Sequence, residues 1–307
     1  MTASFADFAQ CPKTDTMNHL HLGMRYASFT SWAGFYIPDF PRKYLGLSDI
    51  KDNIITPYTA PRCKTPKDVQ DLFTLSIQDA IADNVKILEG SVAASFVEQC
   101  GGAANLVELV KKEKERFCTK IDFRPELAID GKMGSEHLSK WLPELLSSGI
   151  FESIALYGVE NADAVRDFAP IFAFAETSGI KRKISAGAVL DPKTIQHFCE
   201  MAGVDEIQCG QNVADDENVM KCLRAHNVAL NICFESDVAL GSSPSYQAHK
   251  IRTLVDFGFR VNLCTHAMLL FNKSNSEQCA ELVNSGLFGV NEVKKILADS
   301  FDAHLKR

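Results

Sequence analysis

Eight short apolar runs alternate with amphipathic helical stretches along this chain, and that alternation leaves few folds open to it. The runs are TMNHLHL (16–22), NVKILEG (84–90), CTKIDFR (118–124), SIALYG (153–158), RKISAG (182–187), DEIQCG (205–210), ALNICFE (229–235) and RVNLCTH (260–266). Each has the length and β-branched content of a strand buried on both faces, as in a parallel sheet covered by helices. The intervening stretches carry helix punctuation. NADAVRDFAPIFAFAETSG closes on Gly179, and DPKTIQHFCEMAG opens with Asp191 as N-cap and Pro192 at the first helical position, then stops at Gly203. DDENVMKCLRAHN places acids in its first turn and bases in its last, and SYQAHKIRTLVDFG ends on Gly258.

Eight such units predict an α/β fold, a (β/α)₈ TIM barrel spanning residues 1–307 as one domain. An open doubly wound sheet is the alternative. It calls for a Gly-rich phosphate turn after the first strand, where this chain has HLGMRYASF. Residues 25–83 form a helical, aromatic-rich insert after strand 1, with YASFTSWAGFYIPDFPRKY at its start. It reads as a helical hairpin packed on the barrel and as a lid over its mouth, and the two are compatible.

Composition narrows the function. Of 307 residues, 46% are apolar and 23% charged, enough for a large core. The net charge of −7 argues against non-specific nucleic-acid binding, which needs a basic surface. KKEKER (111–116) is read as a solvated helix face. The apolar stretches are too short to span a bilayer, and MTASFADFAQCPKTD lacks the basic start and apolar centre of a signal peptide. The ten cysteines lack a C-x-x-C pair, and most fall in apolar runs, as buried reduced thiols of a cytoplasmic protein would. The expected partner is a small molecule.

In a barrel of this kind, polar residues at the C-terminal ends of strands carry the chemistry. The first strand ends in His19-Leu20-His21, two imidazoles expected on one face, and the eighth ends in Cys264-Thr265-His266. The first and last strands are neighbours, so His19, His21 and His266 form a candidate metal site with an open position for water. Cys209, ending strand six, is a candidate ligand, proton shuttle or nucleophile, or else an inert core thiol. Ser185 ends strand five and suits a hydrogen bond to a ligand. Glu89, taken as the end of strand two, is a candidate proton carrier. Arg124 and Glu126 are expected as an ion pair inside the barrel, and Glu235 and Asp237 as loop-orienting groups.

The order of these pieces resembles the adenosine/AMP deaminase branch of the metal-dependent amidohydrolases, which are (β/α)₈ barrels. The resemblance rests on Pro12-Lys13 and His19-Leu20-His21-Leu22 against the family's P-K and H-x-H-L. It rests further on ALYGVE (155–160) against D-L-x-G-x-E, ISAGAV (184–189) against H-A-G-E, and the segment from DEIQCG through CFESDVALG against R-I-G-H-G and C-P-x-S-N-x-x-L-G. HKIRTLVDFGFRVNLCTHAMLLF (249–271) is similar to the family's H-P-I-R-x-L through T-D-D-P. It covers the first strand and most of the C-terminal half.

The resemblance implies a hydrolase with a bound divalent ion, zinc in the first place, with iron or manganese as other choices. It assigns Gly158 and Glu160 to substrate contact. In the family, the H-x-H pair, the His of H-A-G-E and the first Asp of T-D-D bind zinc. The Glu of H-A-G-E protonates the purine, and the His of G-H-G handles the hydroxide. Here the pair is His19 and His21, but the third ligand position holds Ser185 and the proton-donor position Ala188. The G-H-G position holds Cys209, and the T-D-D positions hold His266 and Ala267. Loss of the acid alone removes a factor of about 10²–10⁴, so ordinary adenosine deamination is not expected.

Three functions stay open at this point. One is a divergent hydrolase of a purine nucleoside or related small heterocycle, with a metal on His19, His21 and His266, and with Glu89 or Glu160 supplying the acid. A second is an inactive relative that binds a nucleoside-like ligand, favoured by Ser185, Ala188 and Ala267. The third is a metal-free enzyme with Cys209 as nucleophile and His266 or His21 as base.

Overall fold

All eight runs become strands in the computed structural model, which describes residues 2–133, 135–159, 164–185 and 190–306, with the backbone alone for 135–138 and 164–166. The strands are β1 (Lys13–His19), β2 (Val85–Ala93), β3 (Asp122–Asp130), β4 (Ser153–Tyr157), β5 (Lys181–Ser185), β6 (Glu206–Gln208), β7 (Ala229–Ile232) and β8 (Val261–Leu263). They pair in sequence order, every neighbouring pair parallel. β8 meets β1 through a parallel bridge between Asn18 and His266. There the His19 N–H donates to the His266 carbonyl (2.8 Å) and the His266 N–H to the Met17 carbonyl (2.9 Å). The fold is the expected (β/α)₈ barrel.

Strand alternation divides the barrel wall into two chemistries. Leu88, Val92, Phe123, Leu127, Ile154, Leu156, Ile184, Ile207, Leu230 and Leu263 point outward and merge with the helices in one continuous apolar core. The alternate residues Glu89, Glu126, Lys183 and Glu206 come from four different strands yet meet each other, so they fill the interior. The helix Val290–Leu305 closes the base: Ser300 Oγ donates to Asn262 Oδ1 (2.7 Å), and His304 lies 3.7 Å from Glu206.

Three boundaries differ from the sequence expectation. β2 runs past Gly90 to Ala93, so Glu89 is a mid-strand residue. β3 starts at Asp122 and continues through Pro125 to Asp130, because Cys118–Lys120 form the turn that follows the helix Ala103–Phe117, with the Lys120 N–H donating to the Phe117 carbonyl (2.8 Å). A proline reads as a strand stop, but this one is accommodated, its carbonyl accepting from the Glu152 N–H (2.9 Å). β1 stops at His19, and Leu20–Leu22 form a turn closed by the Leu22 N–H on the His19 carbonyl (2.7 Å).

Of the helices, Pro192–Ala202 has the expected cap: Asp191 accepts from the N–H groups of Lys193 and Thr194, and Gly203 ends it at φ +62°. The helix expected up to Gly258 is shorter, Ile251–Asp256, since His249 leaves the helical path to bond Asp237 (3.1 Å).

Within residues 25–83, the helix Pro66–Ala82 is the ordinary crossover from β1 to β2, started by a Thr65/Asp68 capping box. The segment before it contains the helix Tyr26–Ala33 and a wide π-type turn, Lys51–Thr59. Its Phe29, Ile37, Tyr44, Ile50 and Ile54, with Met24 just before it, pack on Ala239, Ala267 and Leu269–Phe271, which follow β7 and β8. Tyr44 is fixed at both ends: its N–H donates to the Ala239 carbonyl and its hydroxyl to the Leu270 carbonyl (both 2.8 Å). The insert therefore packs on the loops at the mouth of the barrel. Among the described residues no helix is long and apolar enough to cross a membrane.

Candidate active site

The closure of β8 on β1 sets His266 beside His19, and the turn after β1 returns His21 to the same place. The ring centroids of His19 and His266 are 5.1 Å apart, and those of His19 and His21 are 6.0 Å apart. Aromatic rings surround them: Phe96 on His21 (5.3 Å), Phe271 on His266 (5.5 Å) and Tyr157 on His19 (6.3 Å). Burial, reinforced by the neighbouring His19, pushes His21 and His266 down to about 3, and burial lowers His19 as well. The rings are neutral, which leaves a nitrogen lone pair on each. The Nδ1 atoms of His21 and His266 are buried and have no hydrogen-bond partner among the described residues. A buried ring nitrogen without a partner is costly unless something binds it.

A layer of sulfur lies against this ring. Cys209, Cys233 and Cys264 are each the first residue beyond a strand, on the consecutive strands β6, β7 and β8. With Met17 they form one buried cluster. The thiols of Cys209 and Cys233 lie 3.7 and 3.4 Å from Met17 Sδ. Donor atoms of Cys209, Cys233 and His266 all lie within 4.8 Å of one another. A hydrogen bond from Cys233 favours the Cys209 thiolate, but burial and the Asp237 charge outweigh it and push the thiol up. Burial and its sulfur neighbours push Cys233 well up too. Both are neutral thiols at pH 7. All ten cysteines are free.

Sequence reasoning left Cys233 among the inert core thiols, since its setting, ALNICF, is apolar. A signal was available: three cysteines occupy the same first-beyond-strand position on three successive strands.

The other candidates are more scattered. Ser185 is the last residue of β5, in register with Gln208 of β6. Gly158 directly follows β4 at φ +73°, and a Cβ there would lie 2.4 Å from Asp130 Oδ1, so a side chain would strain and crowd this turn. Glu160 and Ala188 lie outside the described residues. Glu89 does not reach the mouth. It lies below it on β2, ion-paired to Lys183 (2.6 Å) and Lys181 (2.5 Å). Burial would raise its carboxyl, but the two ammonium groups hold it at about 2. A permanently ionised carboxylate has no proton to give, so the expected proton-carrier role does not fit this position.

The Arg124–Glu126 pair is also corrected. Glu126 takes Lys183 (2.6 Å), while Arg124 turns to Asp122 (2.6 Å) at the base, where the barrel opens into a cavity of about 1000 Å³. Glu89, Glu206 and His304 cluster closely enough to suit a cation, but the Lys181 ammonium already bridges the two carboxylates at 2.5 and 2.6 Å. Glu235 and Asp237 hold loops, through Tyr246 and Lys273 (2.9 Å each) and through His249 (3.1 Å).

Neutral imidazoles and cysteines form a donor set that suits zinc or a softer ion and gives little to a hard cation. The unpartnered ring nitrogens fit the same reading.

Comparison with known proteins gives a consistent result. The family model described as Adenosine deaminase matches residues 54–304. A "Putative adenosine/adenine deaminase" of Treponema pallidum is 38% identical over 289 residues, covering 94% of this chain and 96% of the relative. An "Adenosine deaminase" of Clostridium kluyveri is 21% identical, covering 95% and 89%. Among solved structures, an ADAL–IMP complex superposes with a TM-score of 0.80 at 18% identity, covering 98% of this chain and 94% of that one. An amidohydrolase of Burkholderia ambifaria with bound Zn gives 0.79 at 17%, covering 97% and 86%.

Proposed function

Since this chain belongs to the adenosine deaminase family of hydrolytic enzymes, we propose that it is a divergent hydrolase that removes an amino group from a purine nucleoside or a related small heterocycle. The observation that carries this reading is the convergence of His19, His21 and His266 at the barrel mouth, with two buried ring nitrogens unpartnered among the described residues. The purine class is supported by the Treponema relative, named for adenosine and adenine, and by the neighbour solved with IMP.

His19, His21 and His266 would hold a divalent ion, zinc first. Such an ion, when bound, would supply Lewis acidity toward water, easing its ionisation to a nucleophile. The residues of the chain do the rest. Phe96, Phe271 and Tyr157 wall the imidazoles and exclude bulk water. The insert, anchored through Tyr44, acts as the lid. Gly158 shapes the turn after β4, and Ser185 offers a hydroxyl to the substrate. Glu89 is locked in ion pairs, so we assign the proton donor to Glu160. Cys209 as a free nucleophile is disfavoured, because a raised thiol is a poor one. The ten free cysteines suit a reducing, cytoplasmic setting.

The test, over a panel of purines, is release of ammonia from adenine, adenosine and AMP, and of methylamine from their N6-methylated analogues, by zinc-loaded protein. Turnover of at least one purine, lost in His21→Ala and cut by 10²-fold or more in Glu160→Gln, supports the reading. A second reading, a ligand-binding relative without turnover, is favoured by Ser185 and Ala267 at family ligand and catalytic positions. It gains if a purine raises the melting temperature while no panel member releases ammonia or methylamine.

A further inference from the structure

The three imidazoles are not the tightest donor group at the mouth. Among the described residues at the mouth, ligand atoms of Cys209, Cys233 and His266 all lie within 4.8 Å of one another. We propose that this triad is a thiolate-based metal site, with Cys209 Sγ, Cys233 Sγ and a ring nitrogen of His266 as protein ligands for zinc or another thiophilic ion, which displaces the proton of each thiol to solvent as it binds. The inference rests on the metal-dependent reading above but assigns the ligands differently, keeping His266 and replacing the His19–His21 pair with sulfur.

Four observations carry it. First, thiolate sulfur takes zinc at about 2.3 Å and imidazole nitrogen at about 2.0 Å, so ligands of one tetrahedral ion stand roughly 3.5–3.8 Å apart. The triad needs inward shifts of about 1 Å or less to reach this. Second, His266 Nδ1 is buried and without a hydrogen-bond partner among the described residues. Third, Cys209 and Cys233 are fixed by neighbouring strands: the Cys209 N–H donates to the Asn231 carbonyl (2.8 Å), two residues before Cys233. The two sulfurs are therefore placed by the sheet rather than by mobile loops. Fourth, their surroundings are soft. Met17 Sδ lies 3.7 Å from the Cys209 thiol and 3.4 Å from that of Cys233, and Cys264 joins the same buried cluster, a setting that suits a soft ion. Charged amines are also kept away. Lys181 and Lys183 are engaged by Glu89, Glu126 and Glu206 deeper in the barrel.

The test is cobalt(II) titration of the full-length, fully reduced protein. Thiolate–cobalt bonds give a ligand-to-metal charge-transfer absorption that nitrogen and oxygen ligands do not. The expected result is one bound cobalt with this absorption, displaced stoichiometrically by zinc. It should fall to about half in Cys209→Ser and in Cys233→Ser and disappear in the double variant. Cys264→Ser is the matched control. It changes a thiol in the same buried cluster but outside the triad, and should keep the full absorption. One equivalent of cobalt bound without charge transfer would overturn the thiolate site while leaving the histidine-based reading intact. Full charge transfer in protein that releases no ammonia or methylamine from any purine would uphold the site and sink the hydrolase reading. No cobalt or zinc bound by wild-type protein would overturn both.

Discussion

His266 and Cys209 hold backbone conformations that side chains normally avoid, with φ at +63° and +55°. Non-glycine residues adopt this region rarely, and holding one there costs on the order of 1–3 kcal/mol. Both positions are ones where the chain departs from the family pattern, and both bring a metal-binding atom to the mouth. Asp15, on β1, is a fully buried carboxyl. Burial pushes its carboxyl up to about 6, against the opposing hydrogen bonds from Thr265 and Asn18. A carboxyl raised this way favours the fold only while protonated. That advantage is complete below about 3.8 and is lost as pH rises through about 6. Asp15→Asn keeps the shape without the charge, and Asn18, whose Oδ1 has no partner among the described residues, can turn to accept from it. The variant should lose the decline in stability between pH 4 and 6 and gain on the order of 2–3 kcal/mol at pH 7. Urea denaturation across that range checks this, and an unchanged pH profile contradicts it. At this scale the histidines were legible because H-x-H and the closing strand are local signals. Cys233 was not, because an apolar run hides a thiol whose partners lie on other strands.

The elements were legible where the hydrophobic period was undisturbed. All eight runs became strands, and Asp191 and Gly203 bound their helix as their chemistry requires. The errors have two sources. Pro125 reads as a strand stop, yet β3 passes through it, which moved the mouth end of the strand to Asp130. Gly90 ends the apolar run of β2 by sequence but lies inside the strand, where a Cβ would come 2.7 Å from Leu20 Cδ2. That glycine is there for packing rather than for a turn. The three-residue extension is what put Glu89 below the mouth. The insert was legible as an aromatic block, but its seat on the β7 and β8 loops depends on contacts about 200 residues apart, such as Tyr44 with Leu270.

For the whole molecule, the barrel interior was the least legible part. KRKIS on β5 carries two lysines on one face of a strand, and Lys183 is fully buried and Lys181 nearly so. Burial disfavours the Lys183 ammonium, but Glu126, Glu89 and Glu206 more than compensate and raise it. Such a network is costly to break from one side, because the remaining charges stay buried. Lys183→Met should therefore cost about 3–5 kcal/mol at pH 7. The deficit should shrink on acidification, as the carboxylates left without their cation take up protons. A loss below about 1 kcal/mol, or one independent of pH, would show that the network does not hold the barrel together.

The central claim is that the family's metal centre has been rebuilt around the closing strand rather than abandoned. The measurement is metal content by mass spectrometry on tag-free protein, wild type beside His266→Ala, both reconstituted with zinc and then dialysed. His266 belongs to both the histidine and the thiolate versions of the site. The account predicts close to one equivalent of metal in wild type and its loss in the variant. No retained metal in wild type, or equal content in both proteins, would contradict it.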